Sequence, residues 1–375
     1  NGGKVPQPDL DVFDPNVPFC IENVGDVQAN VQYNTTNTNI RISKDYKTWN
    51  DYTTGTEIEL NPKDRVYIKS DYAQGTGSNP RFVFNGDGTR LRARGNIASL
   101  IYGTNDAYVN KYTSTEAYCY HYMFHGCTSL TQAPELPATT LASNCYYSMF
   151  SGCISLTQAP ELPATTLSSY CYSYMLKGCT SLTQAPELPA TKLASSCYSN
   201  MFDSCTSLTQ APELPATTLA DWCYNYMFYG CASLTQAPEL PATTLANYCY
   251  YSMFEDCTSL TQAPELPAAT LASSCYRSMF KGCTSLTQAP ELPATILVDS
   301  CYNAMFNGCT KLNYVKCLAT DTYAAGCTYN WLYNVSSTGT FECDNKKYFT
   351  VDSPNGIPVG WSITEINPDV EKPDL

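Results

Sequence analysis

The sequence predicts a mainly β fold with short helices, in which a small β-sandwich precedes a solenoid of stacked repeats. Cysteines recur every 26 residues from Cys119 to Cys301, with a partial further unit at Cys327, whereas residues 18–108 contain no repeat and alternate apolar with polar side chains. A fixed period between about 20 and 50 residues is typical of solenoids, because no single unit can bury its own apolar face. We therefore expect a right-handed, curved solenoid in which each repeat forms one coil.

The composition excludes several classes of function. A formal net charge of −13, from 34 acidic and 21 basic residues among 375, disfavours binding to nucleic acid or to an anionic membrane. No run of about 18 apolar residues occurs, so the sequence predicts no membrane-spanning helix. The first residues lack the charged and apolar regions of a signal peptide, and we expect any such segment to have been removed.

The sequence divides into five predicted regions. Residues 1–17 and 367–375 are rich in proline and acidic residues and lack periodicity, which predicts a linker and a tail. Residues 18–108 hold runs such as VQANVQYN, TEIELN and DRVYIKSD between turn residues, which predict an immunoglobulin-like β-sandwich. Eight repeats and a partial ninth place the solenoid at 109–343, and the non-repetitive residues 344–366 are predicted to cap it.

The first half of each repeat predicts a short helix. In the unit that begins at Cys119, the apolar residues Cys119, Met123 and Cys127 are spaced four apart and would form one stripe on a helix. Gly126 is placed to end that helix, and Ser143 is placed to cap the helix of the following unit. We expect this stripe to face the core of the solenoid.

The second half of each repeat contains the decapeptide SLTQAPELPA, which begins at Ser129 and occurs seven times without change. We call it the invariant segment. Its inward-facing candidates, with the leucine that follows it, are Leu130, Ala133, Leu136 and Leu141. Because Pro134 and Pro137 lack a backbone donor, we expect any strand here to be only a few residues long.

The repeat resembles the BspA-like leucine-rich repeats of bacterial surface proteins. The letters that match the pattern of that family are Cys127, Leu130, Ala133, Leu136, Pro137, Leu141, Phe124 and the next cysteine, Cys153. The unit is longer than the usual one, chiefly by four residues between Leu141 and Cys153, which is about one helical turn and would preserve the buried face. The resemblance implies a leucine-rich-repeat fold, adhesion, and export to the bacterial outer surface as a lipoprotein.

Sixteen of the twenty cysteines belong to the repeat. Two cysteines eight residues apart on a helix lie too far from each other for a disulfide, so bridges within one repeat are excluded if the helix forms. Bridges between neighbouring repeats remain open, although buried thiols that act as small apolar side chains are favoured. No C-x-x-C pair occurs, and we predict neither a zinc site nor any cofactor.

The two histidines, His121 and His125, lie four residues apart. Such a pair can bind a metal on one face of a helix, but no third ligand is evident in the sequence. The corresponding residues of other repeats differ freely, for example Arg277 and Lys281. We therefore favour an exposed, variable face and predict no metal site and no catalytic residue.

The predicted binding residues form a polar column in the invariant segments and an aromatic pair. In a stack of coils, one glutamine and one glutamate of each segment would lie above those of the next, which produces a repetitive acidic edge. The candidates are Gln132, Glu135, Gln158, Glu161, Gln184, Glu187, Gln210, Glu213, Gln236, Glu239, Gln262 and Glu265, together with Trp222 and Tyr248. A solubilising stripe is the alternative interpretation of the column.

Aromatic residues also occur in the predicted sandwich, in the run KDYKTWNDY. Tyr46, Trp49 and Tyr52 could form a platform for a sugar near a loop. Packing at the edge of the sandwich is the favoured alternative.

Three functions remain open from the sequence. The favoured one is a non-enzymatic adhesion protein, monomeric and extracellular, whose repeats contact a host or matrix protein and whose link to the membrane is a removed segment or an N-terminal lipid anchor. The second is a glycan-binding accessory protein of a nutrient-uptake system that uses aromatic residues on the variable face. The third is a passive structural spacer.

Overall fold

A computed structural model describes residues 7–11, 14–70, 80–85, 88–102, 115–351 and 355–366. The chain forms two compact units, Asn1–Leu188 and Pro189–Leu375. The strands are β1 Phe19–Asn23, β2 Ala29–Asn34, β3 Ile40–Ser43, β4 Asn50–Tyr52, β5 Glu57–Leu60, β6 Arg65–Ser70, β7 Arg81–Asn85, β8 Leu91–Arg94, β9 Leu130–Gln132, β10 Tyr314–Cys317, β11 Thr340–Cys343 and β12 Ser362–Glu365. The described residues contain one short α-helix, α1 Ser99–Tyr102, and one 3-10 helix, Lys346–Tyr348.

The first unit begins with two sheets. One has the strand order β4-β3-β6-β1-β8-β9 and the other β5-β2-β7, and all neighbours are antiparallel except β8 and β9. The alternating runs of the sequence correctly predict β2, β3, β5, β6, β7 and β8. Strand β1 lacks alternation because all five of its residues are buried, and β4 is only three residues long.

Aromatic side chains join the two sheets. Phe19 of β1 contacts Phe82 of β7 with ring centroids 5.2 Å apart, and Tyr33 of β2 stacks on Phe82 at 4.7 Å. The Tyr52 hydroxyl donates to the carbonyl of Thr56 at 2.6 Å, which satisfies a polar group at the end of β4. These large buried rings stabilise the contact between the sheets through the apolar area that they remove from water.

A buried ion-pair cluster joins three strands of the larger sheet. The Glu22 carboxylate of β1 accepts hydrogen bonds from Arg65 Nε of β6 at 3.0 Å and from Arg92 Nε of β8. Burial acts to raise the pKa of Glu22, but the Arg92 and Arg65 hydrogen bonds outweigh it and hold the pKa below its usual value. Because both guanidinium groups are engaged, this carboxylate ties β1 to its two neighbours.

The residues before β1 pack against the larger sheet. Leu10 and Val17, which fall in the predicted linker, are buried in a cluster with Tyr67, and Tyr46 and Trp49 pack on it. Tyr46 contacts Tyr67 edge to face at 5.0 Å, and Tyr52 is only 7% exposed. This burial supports the favoured alternative, in which the aromatic run packs at the edge of the sandwich, and does not fit a platform that includes Tyr52.

The first repeat extends the larger sheet. Strand β9, from the first invariant segment, pairs with β8 in parallel. The Phe82 amide donates to the carbonyl of Met123 at 2.7 Å, and the Phe82 ring stacks on Phe124 at 5.2 Å with an interplanar angle of 8°. The apolar interior of the first coil is therefore continuous with the interior of the N-terminal sheets.

The predicted helix in each repeat is wrong. The segment from residue 118 to Cys127 and its equivalents, which we call the arc, is a run of hydrogen-bonded turns. Alternate amides of the arc bond to the next coil instead of to a carbonyl of their own segment: Tyr120 N donates to Cys145 O at 3.0 Å in the first unit, and Tyr250 N donates to Cys275 O at 3.0 Å in the second. The remaining amides close turns, as when Met123 N donates to Tyr120 O at 3.3 Å.

A left-handed residue interrupts the arc at every fourth position. In the first arc these residues are Tyr118, Tyr122 and Gly126, with φ of 60°, 57° and 74°. A right-handed helix cannot pass through such residues. The arc instead repeats its conformation every four residues, so its buried pairs, such as Met123 and Phe124, face the interior at the same place in each four-residue turn. Ser143 and Gly126 therefore do not act as helix caps.

The interior of the coils is correctly predicted although the helix is not. The stripe residues Cys119, Met123 and Cys127 are at most 5% exposed, and equivalent residues of the later coils are buried as well. Aromatic side chains stack from coil to coil: Phe124 on Phe150 at 5.5 Å in the first unit, and Tyr224 on Tyr250 at 5.9 Å in the second. Stacks of identical rings hold neighbouring coils at one spacing.

The cysteines are free thiols, and all twenty are buried. Their burial confirms the prediction that they act as small apolar side chains. The second cysteine of a coil also donates a weak hydrogen bond to the arc of the preceding coil, as from Cys153 Sγ to Phe124 O at 3.2 Å and from Cys283 Sγ to Phe254 O at 3.0 Å. Burial raises the pKa of Cys179, for example, to about 12.

The invariant segments form short strands or single β-bridges, as the prolines predict. Strand β9 has three residues, and a single bridge joins Gln236 to Gln262 in the second unit; the bridge from Thr140 to Thr166 lies just after the segments in the first unit. Leu136 and Ala138 are both 2% exposed, whereas Ala133 is half-buried. The inward alanine is therefore Ala138, because it lies an even number of residues after the buried Leu130 and Leu136, whereas Ala133 does not.

Stacking continues into the predicted cap. Strand β10 pairs with β11 in parallel, and β11 pairs with β12. Tyr314 lies opposite Thr340, a full repeat later, although the sequence of the repeat has decayed by that point. The Trp331 ring, fully buried, contacts Phe341 and Phe349 and closes this end of the second unit with apolar side chains.

Candidate functional site

A groove of about 770 Å³ lies on the invariant segments of the first unit. Three successive coils contribute the same positions of their sequence to it, and Arg94 of β8 adds a basic side chain. The lining residues are Arg94, Gln132, Ala133, Pro134, Glu135, Leu136, Pro137, Thr139, Thr157, Gln158, Ala159, Pro160, Glu161, Pro163, Thr183, Gln184, Ala185 and Pro186. We call this feature the coil groove.

The alternation of the invariant segment produces the coil groove. Leu162 and Ala164 point into the coil, with 3% and 1% exposure, so Glu161, which directly precedes Leu162, points outward. Gln158 and Glu161 are both exposed. The prolines fix the extended backbone without using ladder donors, so the wall of the groove is rigid and its polar side chains project from it.

The charges in the coil groove are arranged around Glu135. Burial raises the pKa of this carboxyl; Arg94 acts against that rise and Glu161 adds to it. Glu135 Oε2 is buried and has no hydrogen-bond partner among the described residues. Arg94 Nη2 is 3.1 Å from Asp11 Oδ1, and the Arg94 side chain is 13% exposed. A ligand that donates hydrogen bonds would satisfy the unpartnered carboxylate oxygen.

The predicted polar column divides between the two units. Gln132, Glu135, Gln158, Glu161 and Gln184 line the coil groove. Glu187 is exposed but outside the lining, and the candidates of the second unit are all exposed, namely Gln210, Glu213, Gln236, Glu239, Gln262 and Glu265. The sequence did not predict Arg94, because its place in the groove depends on the pairing of β8 with β9.

Trp222 and Tyr248 come together in the second unit. Their rings stack in parallel with centroids 3.9 Å apart and an interplanar angle of 5°. Both side chains are half-buried. They lie on neighbouring arcs, one repeat apart in the sequence, and therefore belong to a different surface from the invariant segments.

The histidines do not form a metal site in the structure. His121 Nδ1 lies 2.5 Å from the carbonyl of Tyr118, and burial together with Arg81 lowers the pKa of His125. Within the described ranges, no three His, Cys, Asp or Glu side chains are placed to share a metal ion. In that same part of the chain, no helix has the length and apolar character to cross a membrane.

Comparison with known proteins identifies the repeats. The family model of the BspA type leucine rich repeat region matches residues 111–223 and 223–338 and counts six copies. No curated protein and no solved structure matches the chain. The family match covers more than half of the sequence and includes the arcs, the invariant segments and the coil groove except for Arg94. The chain therefore belongs to the BspA-type leucine-rich-repeat family.

Proposed function

We propose that this protein is a non-enzymatic adhesion protein in which a solenoid of BspA-type repeats follows a β-sandwich and binds a host or matrix protein. The BspA-type family consists of binding repeats rather than enzymes, and its members are typically associated with bacterial surfaces. The observation that carries the proposal is the coil groove, whose polar residues come from the same positions of three successive coils.

The identity of the exposed residues supports a binding role. Buried residues of a repeat are expected to be alike because each coil packs on the next. The glutamine and glutamate of the invariant segment are exposed in most copies and nevertheless occur in all seven. Half-buried arc positions, in contrast, vary between copies, as from His121 to Arg277. Stacking alone does not explain why an exposed face is constant while a half-buried one varies.

The chemistry of the coil groove favours an extended segment with basic side chains. Glu135 and Glu161 supply carboxylates, the three glutamines supply amide donors and acceptors, and alanine and proline supply apolar contact. Contacts of one ligand with several neighbouring coils raise its overall affinity, because each contact after the first is effectively intramolecular. A partner that presents several basic residues along an extended chain therefore gains the most from this surface.

Surface plasmon resonance of the full chain against a panel of immobilised matrix proteins tests the proposal. We expect Gln158→Ala combined with Glu161→Lys to weaken binding to the matching partner at least tenfold. Glu59→Lys is the control, since Glu59 is an equally exposed glutamate of β5 outside the groove. Absence of binding to every matrix protein, or equal affinity of the groove variant and the native chain, would overturn the proposal.

Display on the outer surface as a lipoprotein is part of the same proposal. Protease treatment of intact cells tests the surface location, and metabolic labelling with a fatty acid tests the lipid anchor. We expect loss of the protein from treated cells and incorporation of label. Protection from protease, with release only on lysis, would contradict the surface location.

A further inference from the structure

A compact aromatic cluster lies on the arcs of the second unit, apart from the invariant segments. It consists of Trp222, Tyr226, Tyr248 and Tyr251, which we call the aromatic cluster. All four side chains are half-buried. Tyr251 stands edge to face against Trp222 at 6.2 Å and Tyr248 at 6.0 Å, and Tyr226 packs against Tyr251 at 4.9 Å.

The fold does not require aromatic residues at these positions. Trp222, Tyr226 and Tyr248 have φ of 61°, 54° and 56°, a conformation that is uncommon for bulky residues. Neighbouring coils of the same unit place small residues there with the same φ, among them Ser196, Asn200, Ser274, Ser278, Ser300 and Ala304. Since serine builds the same turn, the rings serve something other than the turn itself.

The charges beside the aromatic cluster cancel. Arg277 lies over the Tyr251 ring at 5.5 Å, and the exposed Asp221 adjoins Trp222, where its Oδ1 accepts a hydrogen bond from Asn247 N at 2.9 Å. Glu255, which lies near Tyr226, is already paired with Lys281 at 2.7 Å. Beside Trp222, Tyr248 and Tyr251, one carboxylate and one guanidinium remain, so this part of the surface has no excess charge to attract an ionic ligand.

The size of the aromatic cluster separates two kinds of partner. A stable protein interface buries about 800 Å² on each side, which requires an extended surface. The small residues of the neighbouring coils limit the apolar area beside the cluster, and Tyr229, edge to face against Tyr226 at 5.6 Å, adds one further ring. A ligand of one to three rings, with C–H groups for the aromatic faces and hydroxyls for the Asp221 carboxylate, the Asn247 amide and the Arg277 guanidinium, matches the cluster in size and chemistry.

We infer that the aromatic cluster is a binding site for a neutral oligosaccharide, separate from the coil groove and independent of the function proposed for it. Trp222, Tyr248 and Tyr251 provide the apolar platform. Asp221, Asn247 and Arg277 accept and donate hydrogen bonds at its edge. The protein thereby has two surfaces, one with a periodic polar face and one with a single aromatic site.

A glycan array probed with the full chain, followed by calorimetric titration of the best neutral oligosaccharide, tests the inference. We expect Trp222→Ser combined with Tyr248→Ser to weaken binding at least tenfold, because serine occupies the same backbone position at Ser196 and Ser274. The matched control is Tyr118→Ser combined with Tyr170→Ser, which removes two exposed rings with the same φ of 60° from the first unit. Equal urea midpoints for the variants and the native chain show that the coils are retained.

Several results would overturn the inference. These are binding of charged glycans only, no glycan binding, or unchanged affinity in the Trp222/Tyr248 variant. Loss of matrix-protein binding in that variant, without any glycan binding, would identify the cluster as a protein contact instead. The groove variant Gln158→Ala/Glu161→Lys should bind the oligosaccharide normally, so failure of one proposal is distinguishable from failure of the other.

Discussion

Replacement of Ala304 by glycine is expected to stabilise the protein, although glycine usually destabilises. Ala304 lies in an arc of the second unit with φ of 53°, in the left-handed region that disfavours any residue with a Cβ. The left-handed conformation costs such a residue about 1 to 2 kcal/mol, and glycine avoids that cost. Glycine loses about 0.5 to 1 kcal/mol more than alanine through its greater freedom in the unfolded chain. The net effect is a gain of about 0.5 to 1 kcal/mol in the free energy of unfolding.

The same substitution at Ala294 provides the control. Ala294 lies in the invariant segment of the preceding coil, is fully buried, and is absent from the residues with positive φ. Glycine there adds backbone freedom to the unfolded state and removes a buried methyl group worth about 0.8 kcal/mol, for a loss of about 1.5 kcal/mol. The same substitution is therefore expected to have opposite effects on the free energy of unfolding at two positions of neighbouring coils.

Urea unfolding followed by far-UV circular dichroism measures both effects. We expect the midpoint of Ala304→Gly to lie above that of the native chain and the midpoint of Ala294→Gly to lie below it. If the arc were a helix, Ala304→Gly would lose about 1 kcal/mol instead. A lower midpoint for Ala304→Gly would therefore refute the left-handed turn and restore the helix that the spacing of Cys301, Met305 and Cys309 predicts.

Three further predictions concern the thiols and two carboxylates. Because burial raises the thiol pKa values, native protein at pH 9 should react with almost no Ellman's reagent, whereas unfolded protein should titrate twenty thiols; fast reaction of the native chain would contradict the buried columns. Glu22→Gln should lower the free energy of unfolding by about 2 kcal/mol at pH 7, since it weakens two charged hydrogen bonds. The folded pKa of Glu22 is lowered, so this advantage of the native chain is present above about pH 4.5 and disappears as the pH falls through the folded pKa; an equal difference at pH 2 would argue against the ion-pair cluster. Burial raises the folded pKa of Glu135, so the native state binds more protons than the unfolded state, and the urea midpoint should fall as the pH rises from about 4.5 through the raised pKa. Glu135→Gln should lack this contribution, and parallel pH profiles of the two proteins would contradict it.

The sequence was sufficient for features that depend on local alternation or on the repeat. Six strands of the N-terminal sheets are predicted by apolar residues at every second position. Strand β1 was not predicted, because burial on both of its faces leaves no alternation in the sequence. The inward positions of each repeat, such as Met123 and Leu136, follow from their recurrence every 26 residues. The outward column of the invariant segment follows in the same way, because its polar residues recur between buried ones.

The form of the arc could not be predicted from one repeat. Apolar residues four apart fit a helix as well as a four-residue turn, and the two differ in the backbone φ of every fourth residue and in the carbonyls to which the amides donate. In the stack, Tyr122 N donates a hydrogen bond to the carbonyl of Tyr147 on the next coil at 2.9 Å. An isolated repeat lacks this acceptor. The pairing of β12 with β11 was not predicted for the same reason, because Ser362 lies in the predicted cap, where the side chains of the repeat are absent.

By itself, the sequence determined the repeat, its buried and exposed positions, and the family to which the chain belongs, because these depend on spacing along the chain. Only the tertiary structure decided that the arcs are turns, that Arg94 joins the coil groove and that Trp222 stacks on Tyr248. Each of these depends on an atom that lies near in space and far in sequence, since hydrogen bonds and ring contacts act over a few ångströms regardless of the length of chain between the partners.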